Sequence, residues 1–256
     1  MAVAKELFAF LDGRPGRQRG GSLHAVMLPH RPTKVAMMQR LRIATYNVRR
    51  GVGIDSKLDL ERTAEVVRAT GAELVALQEL DRGAARTGGL DEPAVLQELT
   101  GMTISFFPTL RLGAGEYGLA VAASEEADWR FVRLPRRHRE EPRGSIVGRL
   151  RGLGIVAAHL STRRSARDAQ VPALLSLARE LGRPVVLLGD FNSSRDGLGA
   201  LTGAGFDPGA ELATMVRGRA RQLDYIFAGE GVRLVERWTV PSRASDHLPL
   251  VADLEY

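Results

Sequence analysis

Short apolar segments recur along this chain from residue 41 onward, and many of them stop abruptly at an acidic, amide or imidazole side chain. Residues 185–192, VVLLGDFN, show the pattern: four apolar residues lead through a glycine to Asp190 and Asn192. A continuous Val/Leu run bounded by turn residues favours a strand that is buried on both faces. Asp and Asn are also common in turns, because their side chains hydrogen-bond to nearby backbone groups. This segment alone therefore predicts a buried strand but not a functional site.

The order of the apolar segments predicts the fold class. Helical spacing of apolar residues, with turn residues as stops, predicts helices at 56–71, 91–101 and 165–182. Single helices between groups of strands indicate one α/β domain over residues 41–256, with more than one sheet. The predicted strands are 41–48, 72–80, 103–108, 117–124, 129–135, 144–150, 154–161, 184–189, 223–229, 232–240 and 248–256.

The helix at 165–182 has two local signals. Ser165 followed by Asp168 resembles a capping box, which predicts that the helix begins at Ser165. Pro172 lacks a backbone N–H and clashes with the preceding turn, so we expect it to shorten or kink the helix.

Residues 1–40 differ in composition from the rest of the chain. They contain seven basic and two acidic residues, a net charge of +5 out of +6 for the whole chain. The segment 12–21, DGRPGRQRGG, has little to bury and predicts a flexible, basic N-terminal extension. We expect this extension to be dispensable, so that a chain starting at Met38 would fold and retain its activity.

Several classes of protein are excluded by composition. The chain contains no cysteine, which rules out disulfides, thiolate zinc sites and a cysteine nucleophile. This absence fits a reducing compartment, so we expect a cytoplasmic protein. No apolar run approaches the roughly 18 residues that a transmembrane helix needs, and we expect a monomer.

Polar side chains recur at the ends of the predicted strands. Turns and helix caps explain single cases but do not explain so many of them. Any one of them has an ordinary structural explanation. Together they place Asp, Asn, Glu or His at the end or start of six predicted strands: Asn47, Gln78 and Glu79, His159, Asp190 and Asn192, Asp224, and Asp246 with His247.

At these positions the chain resembles the endonuclease/exonuclease/phosphatase superfamily, which has the deoxyribonuclease I-like fold. The motifs GDFN at 189–192 and SDHLPL at 245–250 are the most specific, and LDYIF at 223–227, LQE at 77–79 and TYNVR at 45–49 follow the family's order. The resemblance spans about residues 41–256. It implies a four-layer α/β/β/α sandwich with two packed mixed β-sheets and a divalent metal ion in a cleft at the sheet edges.

The resemblance also implies a metal site. Hydrolysis of a phosphoester needs a cation to neutralise non-bridging oxygens and the charge on the leaving oxygen. Magnesium prefers oxygen ligands, keeps several waters and uses one or two protein carboxylates. We expect Glu79 to be the principal ligand, with Asn47 beside it and Asp246 contributing directly or through water. Mg²⁺ is the expected ion, with Mn²⁺ or Ca²⁺ as alternatives.

The catalytic roles follow from the same resemblance. Asp190 and Asn192 are expected to orient the attacking water and hold a phosphate oxygen. His247 would bind or deprotonate at the phosphate, with its ring oriented by Asp224. Either Asp190 or His247 could be the general base.

His159 is expected near the leaving-group oxygen, although Ala158 precedes it where relatives have threonine. Glu141 is a candidate to support His159, and Arg143 is a candidate to reach a phosphate oxygen. Leu119 stands where many relatives have an asparagine, which removes one expected phosphate contact.

These residues predict a divalent-metal-dependent phosphoesterase that hydrolyses a phosphodiester or a phosphomonoester. A small molecule or a lipid head group is favoured over nucleic acid as the substrate, because residues 41–256 are nearly neutral and a duplex nuclease neutralises several phosphates. The alternatives are a DNA endonuclease or exonuclease of the same superfamily, and a catalytically inactive binding module on this fold.

Overall fold

A computed structural model describes residues 38–256, which form eleven strands and four α-helices. The helices are α1 (Leu60–Ala69), α2 (Glu92–Thr100), α3 (Arg164–Leu181) and α4 (Gly199–Gly203). The strands are β1 (Arg40–Asn47), β2 (Leu74–Arg82), β3 (Thr103–Leu112), β4 (Gly115–Ala123), β5 (Trp129–Arg133), β6 (Gly144–Leu150), β7 (Leu153–His159), β8 (Val185–Asp190), β9 (Asp224–Ala228), β10 (Arg233–Thr239) and β11 (Leu250–Glu255).

The strands form two mixed sheets. The first has six strands in the order β10-β11-β1-β2-β4-β3, and the second has five in the order β5-β6-β7-β8-β9. Only β1–β2 and β7–β8 pair in parallel. These two parallel pairs lie inside their sheets, and their carboxyl ends carry most of the polar residues that mark the strand ends in the sequence.

The two sheets pack face to face around an inner apolar core. Ile43 and Leu74 of the six-stranded sheet pack there with Ile155 and Val186 of the five-stranded sheet, and all four side chains are buried. Because side chains alternate across a strand, the neighbouring residues point outward to the helical layers. The result is the predicted four-layer α/β/β/α sandwich.

The helices cover the outer faces of the sheets. Val171 and Leu174 of α3 pack with Leu187 of β8 on the five-stranded sheet. Val67 of α1 and Leu96 of α2 belong to the cluster that covers the outer face of the six-stranded sheet. A continuous apolar run such as β8 is therefore buried on both sides, as its composition predicts.

The predicted start of α3 is wrong. The helix begins at Arg164, and its N-cap residue is Arg163, whose side chain makes no capping hydrogen bond. Ser165 lies inside the first turn. The turn is held instead by Ser161, whose hydroxyl accepts a hydrogen bond from the Arg163 N–H.

Pro172 does not shorten α3, which is 18 residues long and continues on both sides of the proline. The proline is on the exposed face of the helix, where water can solvate the carbonyl that loses its N–H partner. Packing of the opposite face on the sheet outweighs the lost hydrogen bond. The predicted N-terminal extension lies, up to Met37, outside the described residues, and β1 already begins at Arg40.

Candidate active site

Three of the predicted site residues lie side by side on adjacent strands. The register pairs His159 of β7 with Asp190 of β8, and Asp190 with Asp224 of β9. All three side chains are buried. Pairing in register therefore places an imidazole and two carboxylates next to one another at one edge of the five-stranded sheet.

Gly189 allows this close approach. Its φ is +144°, and a Cβ atom at this position would lie 1.8 Å from the carbonyl oxygen of Ala158 on β7. Only glycine fits such a backbone contact without moving the neighbouring strand. The glycine of the GDFN motif thus holds β8 against β7 immediately before Asp190 and His159.

Asn47, at the end of β1, joins the two sheets at the site. Its amide nitrogen donates to Oδ2 of Asp190 and to Oε1 of Glu79, both at 3.0 Å. Its amide oxygen accepts from the Arg49 N–H at 3.0 Å. Asn47 therefore holds two carboxylates from different sheets within reach of one amide group.

Glu79 lies in a β-bulge of β2. The pairing of β2 with β4 shifts register between Gln78 and Leu80, and Glu79 has a φ of +63°. A bulge re-aims a side chain, and a left-handed backbone is unusual for a residue such as glutamate. This geometry turns the Glu79 carboxylate toward Asn47, with about a quarter of the side chain exposed.

Backbone strain is concentrated around the site. Seven non-glycine residues among residues 38–256 have a positive φ, and Arg49, Arg50, Glu79 and Asn192 are four of them. Such conformations persist where the surrounding structure over-determines them, and they cluster at functional sites.

The 245–247 segment supplies a further buried group of the site, the imidazole of His247. Nδ1 of His247 lies 2.8 Å from Oδ2 of Asp224. The Ser245 hydroxyl donates to the Asn47 carbonyl at 2.7 Å and accepts from the His247 N–H at 3.1 Å. Ser245 thus positions His247 relative to β1, and the carboxylate of Asp224 holds the ring through Nδ1.

Electrostatics separate the protonation states of these groups. Burial, together with the nearby Asp224 carboxylate, raises the pKa of Asp190 to about 7. Burial alone would lower the pKa of His247, but the carboxylates of Asp224, Asp190 and Asp246 outweigh it and raise that pKa to about 10. His247 is therefore an imidazolium at neutral pH, whereas Asp190 is close to its titration point.

His159 is a neutral imidazole in this environment. Complete burial lowers its pKa well below the usual range, and the nearby positive charges of Arg143 and His247 lower it further. Nη1 of Arg143 lies 2.9 Å from Nδ1 of His159, and Nε2 of His159 lies 3.6 Å from Oδ2 of Asp190. Arg143 reaches the ring because it directly precedes Gly144, which pairs with His159 in register.

Glu141 does not support His159 directly. Its carboxylate lies 3.3 Å from Nη1 of Arg143, and 43% of its side chain is exposed. The guanidinium of Arg143 occupies the position beside the ring, so the support of His159 by Glu141 that the sequence predicts would act through Arg143.

Asn192 and Asp246 complete the predicted set. The Asn192 N–H donates to Oδ1 of Asp190 at 2.8 Å, and its amide donates to the Leu160 carbonyl at 3.0 Å. Asp246 is half-buried at the mouth of the site, with Oδ2 3.5 Å from Nε of Arg49. The structure thus brings together nine of the ten residues predicted for the site. The tenth, Glu141, adjoins this group through its contact with Arg143.

Two groups of side chains could hold a cation. Ligand atoms of Asp190, Asp224 and His247 lie within 4.8 Å of one another. His247 suits this role poorly, because a histidine must be neutral to ligate a metal and its pKa is raised. Glu79 and Asp246 fit a hard cation better, since they are oxygen donors at a partly exposed mouth where an ion keeps its waters.

Several residues at the site were missed by sequence reasoning. Arg50 lies 3.7 Å from Glu79, and Arg49 contacts Asp246, so both candidate metal carboxylates face an arginine. The buried Tyr117 is close enough to Glu79 and Arg143 for their charges to act on its hydroxyl. The signal for Arg49 and Arg50 was present in NVRRG, which follows Asn47 directly.

A match to a family model identifies the family of this chain. The model described as "Endonuclease/Exonuclease/phosphatase family" matches residues 44–247, which include every residue of the site. This chain belongs to the endonuclease/exonuclease/phosphatase family. Nucleases and phosphatases, which the family name lists, hydrolyse phosphoester bonds.

Solved structures of the endonuclease/exonuclease/phosphatase family share the fold. A family member from Beutenbergia cavernae DSM 12333 is 25% identical, with a TM-score of 0.71 over 84% of this chain and 71% of its own. ANGEL2, a 2′,3′-cyclic phosphatase, is 14% identical, with a TM-score of 0.66 over 85% and 95% of the two chains. A truncated TDP2 from Caenorhabditis elegans is 18% identical, with a TM-score of 0.61 over 85% and 98%. No curated protein matches the chain in sequence.

Among residues 38–256, no helix is both long and apolar enough to cross a membrane.

Proposed function

We propose that this protein is a divalent-metal-dependent phosphoesterase that hydrolyses a phosphodiester or a phosphomonoester by attack of water. The observation that carries the proposal is the row of His159, Asp190 and Asp224 across β7, β8 and β9, joined through Asn47 to Glu79. This row places a titratable carboxylate, a charged imidazole and a candidate cation site around one small volume.

Asp190 is the general base in this proposal. A pKa of about 7 matches a base that must accept a proton near neutral pH. His247 is charged at that pH and cannot accept a proton, so it donates to a phosphate oxygen instead. The alternative that the sequence left open, His247 as the base, is disfavoured by the three carboxylates that raise its pKa.

The remaining residues position the substrate. Asp224 holds the His247 ring at 2.8 Å. The neutral His159, held by Arg143, faces the leaving-group oxygen, and Asn192 holds a phosphate oxygen. These two roles are the ones that the family resemblance implies, and the position of both residues against Asp190 supports them.

Glu79 would hold the cation, with Asp246 and Asn47 beside it. When bound, the ion supplies charge neutralisation of the phosphate oxygens and lowers the pKa of water. Asn47 presents its amide nitrogen to Glu79, so it acts as an orienting donor in this arrangement. Mg²⁺ is proposed because the donors are oxygens and few, with Mn²⁺ and Ca²⁺ as alternatives.

A small phosphorylated molecule or a lipid head group is the proposed substrate class. Most of the net charge of +6 lies in residues 1–40, so the catalytic domain offers little charge to bind a duplex. A solved relative of this fold, ANGEL2, is titled a 2′,3′-cyclic phosphatase and has a complex with adenosine-2′,3′-vanadate, which supports a small cyclic diester as one candidate. A cytoplasmic location and a monomeric state stay predictions.

The test is a substrate panel in Mg²⁺, Mn²⁺, Ca²⁺ or EDTA: bis-p-nitrophenyl phosphate, a 2′,3′-cyclic nucleotide, phosphoinositides, plasmid DNA and an abasic duplex. We expect turnover of a small ester that EDTA abolishes. Glu79→Gln should lose most of this turnover, whereas the matched control Glu65→Gln, on the exposed face of α1, should retain it. Full turnover in EDTA would contradict the metal assignment, and efficient incision of the abasic duplex would contradict the substrate class.

A further inference from the structure

A cleft adjoins the candidate active site at Asn192. It has a volume of about 620 Å³ and is lined by three arginines, Arg164, Arg167 and Arg221, and by Asn192. Ligand sites for small molecules commonly have volumes of about 300–1,000 Å³. The cleft therefore has room for one further group of a substrate that is bound at Asp190.

The chain segments that line the cleft all start or end at catalytic residues. Thr162 and the first turn of α3 follow His159, residues 192–197 follow Asp190, and Arg221 and Leu223 precede Asp224. The register holds these catalytic residues side by side, so the three segments converge on one opening. The cleft is thus an extension of the candidate active site.

The charge of the cleft is positive. Arg164 and Arg221 are exposed, and neither makes an ion pair with a carboxylate among residues 38–256. Asp196 is the acidic residue that lines the cleft, and Asp168 is the carboxylate that acts on Arg167. Three guanidinium groups therefore face one lining carboxylate.

Part of this positive charge is held in place. Nη1 of Arg167 donates to the Ser161 carbonyl at 2.9 Å, and the Ser161 N–H donates to Gln170 of the same helix at 2.9 Å. The first turn of α3 contains no acidic residue and no capping side chain. The positive end of the helix dipole adds to the charge of the arginines.

We infer that this cleft is a subsite for a second phosphate of the substrate. Guanidinium groups bind phosphate with charge-assisted, often bidentate hydrogen bonds, which suits a group placed beside the reacting phosphate. A volume of about 620 Å³ fits a small molecule, and an extended polyanion would need basic residues well beyond it. The inference rests on the proposed function, because it concerns the same site, and it narrows the substrate to a phosphoester that carries another phosphate.

The experiment compares two chromogenic esters that share the bond to be cleaved. Thymidine 5′-(4-nitrophenyl phosphate) is assayed with and without a 3′-phosphate. A parallel arm uses vesicles containing phosphatidylinositol or phosphatidylinositol 4-phosphate. We expect the substrate with the extra phosphate to have a kcat/KM about tenfold higher, as one charge-assisted contact provides, mainly through KM.

Two substitutions remove the charge of the cleft, and one provides the control. Arg164→Gln combined with Arg221→Gln should abolish the preference for the extra phosphate and leave kcat/KM for the ester without it unchanged. Arg179→Gln makes the same change near the other end of α3, about 22 Å away along the helix axis, and should keep the preference. A preference found in the vesicle arm alone assigns the second phosphate to a lipid head group, and one found in the nucleotide arm alone assigns it to a soluble molecule.

A binding measurement separates this inference from the proposed function. Isothermal titration compares thymidine 3′,5′-bisphosphate with thymidine 5′-monophosphate, and needs no turnover. Equal affinities, or a preference that survives the double substitution, would overturn the subsite even if both esters are hydrolysed. A bisphosphate preference that depends on Arg164 and Arg221 without hydrolysis of any ester would support the subsite and contradict the proposed function. If the double substitution mainly lowers cleavage of plasmid DNA, the cleft binds a polyanion and the inference is wrong.

Discussion

Charged side chains are paired differently at the two ends of β1. At the amino end, Arg42 binds Asp253 on β11, and Arg40 binds Glu255 at the neighbouring position of the pair. At the carboxyl end, the Asn47 amide contacts Glu79 and Asp190. Asp224 lies next to Asp190 on β9, and His247 contacts Asp224. Each carboxylate at the first end meets an arginine, whereas Asp190 and Asp224 at the second end are buried side by side and neither pairs with an arginine among residues 38–256.

The pKa values follow this difference. The hydrogen bond from Arg42 lowers the pKa of Asp253, and the hydrogen bond from Arg40 lowers that of Glu255. Burial raises the pKa of Asp190 to about 7. Paired surface charges add little stability and stay in one protonation state, whereas crowded buried carboxylates cost stability and become able to exchange protons near neutral pH. Poor pairing, rather than the presence of charge, distinguishes the end of the sheet that carries the candidate site.

The largest difference between the two ends should come from removing one carboxylate at each. Asp190→Asn should lower kcat/KM by roughly 10²–10⁴-fold, the usual loss when a general base is removed, while the melting temperature stays the same or rises. Asp253→Asn, the same change at the other end, should leave kcat/KM unchanged. Equal losses in the two variants, measured on the ester found in the substrate panel, would contradict the assignment of the functional end.

A double-mutant cycle tests whether the buried groups act as a unit. Because Asp224 orients the His247 ring through a 2.8 Å contact, each alanine substitution should lower kcat by about as much as both together. The measurement is kcat for Asp224→Ala, His247→Ala and the double variant. Losses that simply multiply would show that the two residues contribute separately.

Glu92 tests the effect of burial without catalysis. It is buried beside Asp81, its Oε2 accepts from the Asp81 N–H at 2.8 Å, and burial raises its pKa to about 8. A raised carboxyl pKa means that the folded state binds more protons than the unfolded state between about pH 4.5 and 8. Stability from this group is therefore present below pH 4.5 and is lost as the pH rises toward 8.

The variant Glu92→Gln should remove this pH dependence. Its free energy of unfolding should exceed that of the wild type by on the order of 3 kcal/mol at pH 8, with the titration contribution vanishing near pH 4. Urea unfolding across this pH range measures the difference. A constant difference between the two proteins at all pH values would show that Glu92 titrates normally.

The smallest effect is expected from the paired end. Asp253→Asn should lower the free energy of unfolding by less than about 1 kcal/mol at pH 7, because the ion pair with Arg42 is partly exposed. The pKa of Asp253 is lowered, so this contribution is present above the ordinary aspartate range and disappears as the pH falls through the folded value. Salt at 1 M should also remove it. A loss of several kcal/mol would mean that the amino end of β1 is more than a surface contact.

Much of the fold could be predicted because its signals are local. The apolar segments at 144–150 and 154–161, and the apolar run before Asp190, predicted strands that the structure confirms. The start of α3 could not be predicted, because Ser161, four residues before Ser165, holds the entering chain. The short helix α4 was not predicted, since its residues GALTG include two glycines and show no apolar period.

The candidate site was predictable by residue and not by arrangement. The types and order of Asn47, Glu79, Asp190 and His247 follow a family pattern, so their identities could be read from the chain. Arg143 beside His159 depends on the register of β6 with β7. The left-handed conformation of Glu79 depends on a bulge against β4. Neither signal exists within a single segment.

By itself, the sequence determined which strands are buried and which polar residues end them, because side-chain alternation and turn preference act over a few neighbouring residues. Only the tertiary structure decided how those ends combine. The hydrogen bond from Asn47 to Asp190 joins residues 143 positions apart and on different sheets. The packing of the two sheets also brought the carboxylates close enough to raise the pKa of Asp190 to about 7 and that of His247 to about 10. Such shifts depend on burial and on distances between groups far apart in the chain, and both exist only after the two sheets have packed.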